Sequence, residues 1–223
     1  MVEPYITIAP DTFTFEQVLK KSRFIVDLKR VSSEDEARDF IASIKKLHPK
    51  ANHHVWAYTL GPNMEVQRAS DDGEPSGTAA GPMLEVIKNN ELHDIVVVQT
   101  RYFGGIKLGA GGLIRAYAGT LAQAVEAAQR VERIEQLLVA IRVDYAQLES
   151  LQYWLTQNAY LTHDISYAEQ VTLQVAVDQN VFDQFEQDIL EQTKGRTQLI
   201  KIAPTWIEVP YLRSVNGQTR TRR

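Results

Sequence analysis

A glycine-rich segment with three cationic side chains, RYFGGIKLGAGGLIR, spans residues 101–115 and is well suited to bind an anion. It follows an apolar run and leads into a helical pattern, so we expect a loop over Gly104–Gly112 that ends at a helix N-terminus. Free N–H groups and the positive end of the helix dipole are available there. Arg101, Lys107 and Arg115 add positive charge. The segment therefore predicts a site for a phosphate of RNA or of a nucleotide, with backbone donors from Gly104, Gly105, Gly109, Gly111 and Gly112.

The segment does not carry the common nucleotide-binding motifs. No Gly-Lys-Ser/Thr follows its glycines, which excludes a P-loop, and their spacing differs from that of a dinucleotide-binding fingerprint. The structural alternative is a tight turn whose glycines let a helix and a strand pack closely. Both interpretations are open at the level of sequence.

An acidic loop over Ser70–Gly77 precedes the basic segment and could serve three purposes. Asp71, Asp72 and Glu74 could hold Mg²⁺, which prefers a few carboxylates plus water. They could instead have a structural role, either paired with the opposite basic loop or with Asp71 in an Asx-turn to Gly73 and the other carboxylates solvated. They could also present a polar surface to a partner. We predict no bound metal and no cofactor, with Mg²⁺ as the alternative.

Polar residues around the acidic loop complete the candidate surface. His53 and His54 begin a predicted strand, where neighbours point to opposite faces, so the two cannot easily chelate one ion together. One of them could act as a base or a phosphate contact. Arg68 and Ser70 precede the acidic residues and could line the same surface. We expect Tyr102-Phe103 to be core rather than a base-stacking pair, and no catalytic residue is assigned.

The elements that position these residues follow from hydrophobic periodicity. Ser22–Val31 reads as a strand, and Ser33 opens a helix with a capping box to Glu36. A helix begins near Thr78. Between the two loops, Ile95–Val98 is an uninterrupted β-branched run, which predicts a central strand buried on both faces. The other predicted elements are a hairpin of His54–Leu60 with Met64–Ala69 and a helix from the basic loop to about Arg130.

The second half of the chain repeats strands and helices in the order βαββαβ, which is typical of a ferredoxin-like domain. We therefore divide the chain into residues 1–135, residues 136–210 and a basic tail, residues 211–223, which we expect to be disordered. The tail carries four arginines that could touch RNA, Arg213, Arg220, Arg222 and Arg223.

Composition narrows the classes of protein and of partner. The 223 residues include no cysteine, which excludes disulfides and thiolate chemistry and is typical of a reducing cytoplasm. No apolar run approaches a membrane span, and no secretory signal is evident at the N-terminus, so we expect a cytoplasmic protein without membrane contact. Residues 136–210 carry 4 basic and 10 acidic side chains and should repel phosphate. Any RNA contact must then use residues 1–135 or the tail.

The two loops, RASDDGEPSGTA and RYFGGIKLGAGGLIRAY, closely resemble the YigZ/IMPACT family. The pieces KKSRFIV, HPKANHHVWAY and PMLEVIKNN fit the family's pattern in the same order. The resemblance covers about residues 15–125 with specific motifs and extends over 136–207 through a second domain typical of bacterial members. Many relatives have a cysteine where this chain has Val55, so a thiol there is not needed.

The resemblance implies an α+β fold in both domains. The first should have the ribosomal-protein-S-five-domain-two-like fold shared with GHMP kinases and with domain four of elongation factor G. The second should resemble the last, ferredoxin-like domain of that factor. The implied function is regulation of translation through contact with RNA, a ribosome-associated factor or a nucleotide phosphate. The alternatives are an Mg²⁺-dependent enzyme acting on a small phosphorylated or nucleotide substrate, and a protein-binding adaptor; the oligomeric state is open.

Overall fold

The computed structural model describes residues 3–211, which fall into two compact units. One contains Pro4–Arg133 together with the described residues from Val209 onward, and the other contains Ile134–Glu208 with Glu3. The division at Ile134 lies inside a strand. The predicted tail is described only at Tyr211, whose N–H donates to the Arg130 carbonyl at 3.0 Å. Its four arginines lie outside the described residues.

A five-stranded antiparallel sheet forms the centre of the first unit. After a short strand β1 (Tyr5–Ile8), its strands are β2 (Phe13–Leu19), β3 (Ser22–Arg30), β4 (His53–Leu60), β5 (Val66–Ser70) and β6 (Ile95–Tyr102). Their order in the sheet is β2-β3-β6-β4-β5. The apolar run that predicts a central strand is β6, which is buried along almost its whole length because helices cover both faces of the sheet.

Helix α1 (Glu34–Leu47) covers one face of this sheet, and α2 (Ala80–Asn89) and α3 (Ala110–Ala127) cover the other. The Ser33 hydroxyl accepts from the Glu36 N–H, as the capping pattern predicts, while the Glu36 carboxylate reaches the N–H of Ser32 instead of that of Ser33. The start of α3 differs from the predicted loop over Gly104–Gly112. The helix begins at Ala110, so Gly111 and Gly112 lie in its first turn.

Strands β1 and β2 have no counterpart in the sequence-based assignment. Strand β2 shows a period-2 pattern of half-buried and exposed residues, which the short run Phe13–Leu19 carries only weakly. The turn that joins it to β3 is Lys20-Lys21, and both residues have positive φ, 43° and 64°. Two-residue hairpin turns of this kind normally use Asn or Gly. Two lysines therefore give no turn signal, although the turn is as tight as a two-residue hairpin allows.

The second unit has the βαββαβ order that the sequence predicts. Its elements are β7 (Arg130–Val143), α4 (Tyr145–Gln157), β8 (Leu161–Tyr167), β9 (Val171–Val177), α5 (Phe182–Gln192) and β10 (Gln198–Pro210). The pairings of β8 with β9, β9 with β7 and β7 with β10 confirm the α+β class and the ferredoxin-like arrangement. None of the helices in residues 3–211 is long and apolar enough to cross a membrane.

Candidate functional site

The basic loop, residues 103–109, connects the end of β6 to the start of α3 and packs on the β2–β3 hairpin. A Cβ atom on Gly104 would overlap the carbonyl group of Lys21, so only glycine fits this approach. The Gly104 N–H also donates to the Ser22 hydroxyl at 3.3 Å. Gly104 therefore serves close packing of the backbone, which is the structural alternative to an anion site. Its N–H is already used and faces the hairpin.

The first turn of α3 presents unpaired donors at the protein surface. Gly109 precedes the helix with φ 72°, and no side chain caps it. The first intrahelical bond runs from the Leu113 N–H to the Gly109 carbonyl at 2.9 Å. Among residues 3–211 no acceptor is found for the preceding N–H groups of Ala110, Gly111 and Gly112, and no acidic side chain lies in the first turn. This end of the helix retains the partial positive charge of its dipole.

Helix α2 contrasts with α3 because a carboxylate already occupies its N-terminus. Asp71 Oδ1 accepts from the N–H groups of Ala79 at 3.1 Å and Ala80 at 2.8 Å. Its Oδ2 accepts from Gly77 at 2.8 Å. The alternative in which Asp71 forms an Asx-turn to Gly73 is therefore wrong. Asp71 acts as a capping residue from eight positions upstream of Ala79, and its charge is favourably placed at the positive end of α2.

Exposed cations surround the open end of α3. Lys20, Lys107 and Arg115 have no ion pair within the described residues. Lys20 and Arg115 also line a cleft of about 310 Å³ between β2 and α3. The other residues that line it are Gln17, Leu19, Leu108, Gly112, Ala116, Gly119, Thr120 and Gln123.

Arg101 is not part of this exposed group, because its side chain is buried and paired. Its Nη1 donates to Glu74 Oε1 at 2.6 Å, with the two side chains 6% and 3% exposed. Nη2 lies 3.4 Å from the Ser22 hydroxyl, and Tyr117 donates its hydroxyl proton to the same Glu74 oxygen at 2.7 Å. Burial and the neighbouring Glu74 carboxylate raise the pKa of Tyr117 far above its usual range. One residue of the acidic loop, Glu74, is thus paired with Arg101 of β6 in a buried cluster that also contains Tyr117 of α3.

Asp72 connects the acidic loop to β4 and to α1. Its Oδ1 accepts from Lys45 Nζ at 2.8 Å and its Oδ2 from the His54 N–H at 2.7 Å. Burial raises the pKa of Asp72, but the Lys45 ammonium and the His54 N–H lower it by more, so the pKa lies below its usual value. The His53 ring contacts the Asp72 carbonyl at 3.0 Å. These contacts fix the loop on the sheet.

The three carboxylates of the acidic loop point to different partners. Asp71 reaches α2, Asp72 reaches Lys45, and Glu74 reaches Arg101. Within residues 3–211 no three acidic or histidine side chains come together as metal ligands.

The remaining candidate residues are dispersed. Arg68 is exposed on β5 and donates to the neighbouring Gln67 carbonyl, and the Ser70 hydroxyl accepts from the Asp72 N–H at 3.3 Å. Phe103 is 46% exposed, so the expectation of a core aromatic is wrong for this residue. It directly follows β6, which ends at Tyr102, and is the first residue of the basic loop.

Sequence reasoning did not find the cleft or Lys20. Strand β2 forms one wall of the cleft, and Lys20 lies in the turn that follows it. Neither the strand nor the turn was predicted from the sequence. The alternation of Phe13, Phe15 and Leu19 on the half-buried face is the signal that could have revealed the strand.

Comparison with known proteins gives two family matches. Residues 20–125 match the Impact N-terminal domain, and residues 141–196 match a domain of unknown function, DUF1949. The IMPACT family member YvyE of Bacillus subtilis is 41% identical over 208 residues, which is 93% of this chain and 95% of the relative. The IMPACT family member YigZ of Escherichia coli is 34% identical over 199 residues, covering 88% and 97%.

A protein IMPACT homolog of Dictyostelium discoideum is 37% identical over 106 residues, which is 45% of this chain and 30% of that protein. One solved structure, described as the crystal structure of a hypothetical protein, superposes with a TM-score of 0.59 at 31% identity. It covers 91% of this chain and 99% of its own. The two bacterial relatives and the solved structure each match most of this chain.

Proposed function

The chain belongs to the IMPACT family, and from this premise we propose that it binds RNA through its phosphates and acts in the regulation of translation. The observation that carries the proposal is the uncapped start of α3 among unpaired cations. Three N–H groups of its first turn have no acceptor in the described residues, and Lys107 and Arg115 lie on the loop and on the next turn.

The physical basis of the proposed contact is phosphate capture by backbone donors and cations. A phosphate at a helix N-terminus accepts from free N–H groups and interacts favourably with the dipole. Lys107, Arg115 and Lys20 supply counter-charge without losing an existing ion pair. Such contacts position a nucleic-acid backbone without reading its sequence. Residues 136–210 carry 4 basic and 10 acidic side chains and disfavour a polyanion, so we expect the contact in the first unit, where this surface lies.

The contacts of the acidic loop favour binding over metal-dependent catalysis. An Mg²⁺ site needs carboxylate oxygens that are free to turn towards one point. Asp71 and Asp72 each hold structural N–H groups or a lysine, and Glu74 neutralises a buried arginine. Recruiting them to a metal would break the contacts that fix the loop.

A role in translation places the protein in the cytoplasm, and the absence of cysteine is compatible with that compartment. The translation link rests on the family resemblance.

Fluorescence anisotropy of a labelled single-stranded RNA, measured across a salt series, tests the proposal. Lys107→Ala with Arg115→Ala should weaken binding and reduce the slope of log K against log salt by about 1.4, from two contacts of about 0.7 each. The control is Lys46→Ala with Lys50→Ala, which removes the same charge from exposed positions on and just after α1, the helix that covers the other face of the sheet. If the two double variants weaken RNA binding equally, the loss reflects the net charge of the protein and not a contact at the start of α3. Wild-type protein that fails to bind RNA at low salt, yet retains proteins after nuclease treatment in a pull-down, would favour the adaptor alternative.

A further inference from the structure

The cleft between β2 and α3 combines an apolar floor, a row of hydrogen-bonding groups and a cationic rim. Leu19, Leu108 and Ala116 contribute aliphatic surface. Lys20 and Arg115 lie at the rim, and Arg115 belongs to both the cleft and the proposed phosphate site. A ligand in the cleft would therefore reach the same cation as a phosphate at the start of α3.

The polar wall of the cleft is held in a fixed arrangement. The buried Thr120 hydroxyl donates to Gln17 Oε1 at 2.9 Å, and Gln17 Nε2 donates to Gln123 Oε1 at 3.2 Å. In this series of hydrogen bonds Gln17 uses one amide proton and Gln123 uses none. Gln123 therefore keeps amide protons that are free to donate. Amide groups with free donors and acceptors match the edge of a nucleobase, which carries both.

Gly119 gives independent support because it keeps the cleft open. It lies in the interior of α3, where glycine is the least favourable residue after proline. A Cβ at this position would meet nothing within 4 Å, so packing does not require a glycine there. A residue that disfavours its helix and is not required by packing is typical of a functional position. Any larger side chain at residue 119 would extend into the cleft.

We propose that this cleft receives one unstacked nucleobase of single-stranded RNA whose adjoining phosphate lies at the start of α3. The inference rests on the proposed function. The volume of about 310 Å³ lies at the lower end of ligand pockets, roughly 300–1,000 Å³, and suits a single nucleoside. The base lies against the aliphatic floor and the plane of the Arg115 guanidinium, with its edge towards the glutamines. Bases in an A-form duplex stay paired and stacked and cannot enter.

The test compares Gly119→Leu with Gly81→Leu on single-stranded RNA and on an RNA duplex of equal charge. Gly81 is a matched control because it is an exposed helical glycine, in α2, whose Cβ would also meet open space. Gly119→Leu should weaken single-stranded binding by roughly 5- to 150-fold, the range for losing the contact to one stacked base. Binding to duplex and the salt slope should not change, because the phosphate contacts remain. Gly81→Leu should alter neither.

Each outcome separates this inference from the proposed function. If Gly119→Leu binds single-stranded RNA like the wild type, the base pocket is wrong while phosphate binding stands. If the wild type binds duplex as tightly as single strands, the pocket is likewise wrong. If the wild type binds no RNA, both proposals fail. Should Gly119→Leu not fold, Gln123→Ala replaces it: the preference among homopolymer RNAs should flatten, and an unchanged preference would overturn the base-reading role of the cleft.

Discussion

Replacing Arg101 by methionine should strongly destabilise the first unit, because it leaves a carboxylate buried without its cation. The Glu74 side chain is 3% exposed and Arg101 Nη1 donates to it at 2.6 Å. After the substitution the Glu74 carboxylate retains the Tyr117 hydroxyl at 2.7 Å and His53 Nε2 at 3.9 Å, which is beyond hydrogen-bond distance. Breaking a buried ion pair by removing one partner typically costs about 3–5 kcal/mol. The guanidinium also lies 5.5 Å from the Phe24 ring centroid and 5.6 Å from that of Phe103, so packing is lost as well.

Hydrogen exchange followed by mass spectrometry measures this loss element by element, which suits a chain with two compact units. A cost of about 3–5 kcal/mol corresponds to exchange about two to four powers of ten faster in peptides of β6, if these amides exchange through unfolding of the unit. Peptides of β9 report on the second unit in the same experiment. Adding Glu74→Gln should recover part of the loss, because a buried amide costs less than a buried charge.

Arg23→Met is the matched control. Arg23 lies on the adjacent strand β3, and its Nε and Nη2 each donate to the Glu16 carboxylate at 2.7 Å. The two side chains are nevertheless 48% and 45% exposed. Solvent screens such a pair, so its loss should have little effect on exchange. If Arg101→Met is no more harmful than Arg23→Met, or if Glu74→Gln makes it worse, the buried pair does not stabilise the site as described.

Three further predictions concern the loop contacts. Asp71→Ala should cost about 0.5–2 kcal/mol in chemical denaturation because α2 loses its capping carboxylate. Gly104→Ala should cost about 1–3 kcal/mol because its methyl group would overlap the Lys21 carbonyl. Asp72 has a lowered folded-state pKa, so its contribution to stability is present above its unfolded pKa and is lost as pH falls through the folded one. Asp72→Asn should remove that acid-side loss from a pH series of unfolding curves.

Each of these variants has a control on the same unit. Asp39→Ala and Asp39→Asn change an exposed aspartate of α1 and should leave both stability and its acid profile nearly unchanged. Gly81→Ala adds a methyl group in open space and should be neutral or stabilising. A destabilised Gly81→Ala, or an unaltered acid profile in Asp72→Asn, would contradict the corresponding argument.

Hydrophobic periodicity was sufficient to predict most of the fold. The β-branched run from Ile95 identified the central strand because that strand is buried on both faces. The order βαββαβ predicted for the second half of the chain is also the order of the elements in the second unit. By contrast, Lys20-Lys21 forms a turn with residues that usually avoid positive φ, since pairing of β2 with β3 over seven residues holds it in place.

Long-range contacts explain why the roles of the site residues were harder to predict. Arg101 and Glu74 are 27 positions apart, and only the sheet brings them together. Asp71 looks like a turn residue because its helix begins eight or nine residues later. Gly111 and Gly112 look like loop because glycine is rare in helices, but the uncapped first turn of α3 contains them.

The open space above Gly119 makes the cleft accessible to chemical labelling. The chain has no cysteine, so Gly119→Cys would introduce its sole thiol at the wall of the cleft. A small environment-sensitive dye attached there would sense any molecule that enters, without interference from other sites. The same position could carry a photocrosslinker, which would transfer to whatever occupies the cleft in a cell extract and allow the bound molecule to be recovered and identified.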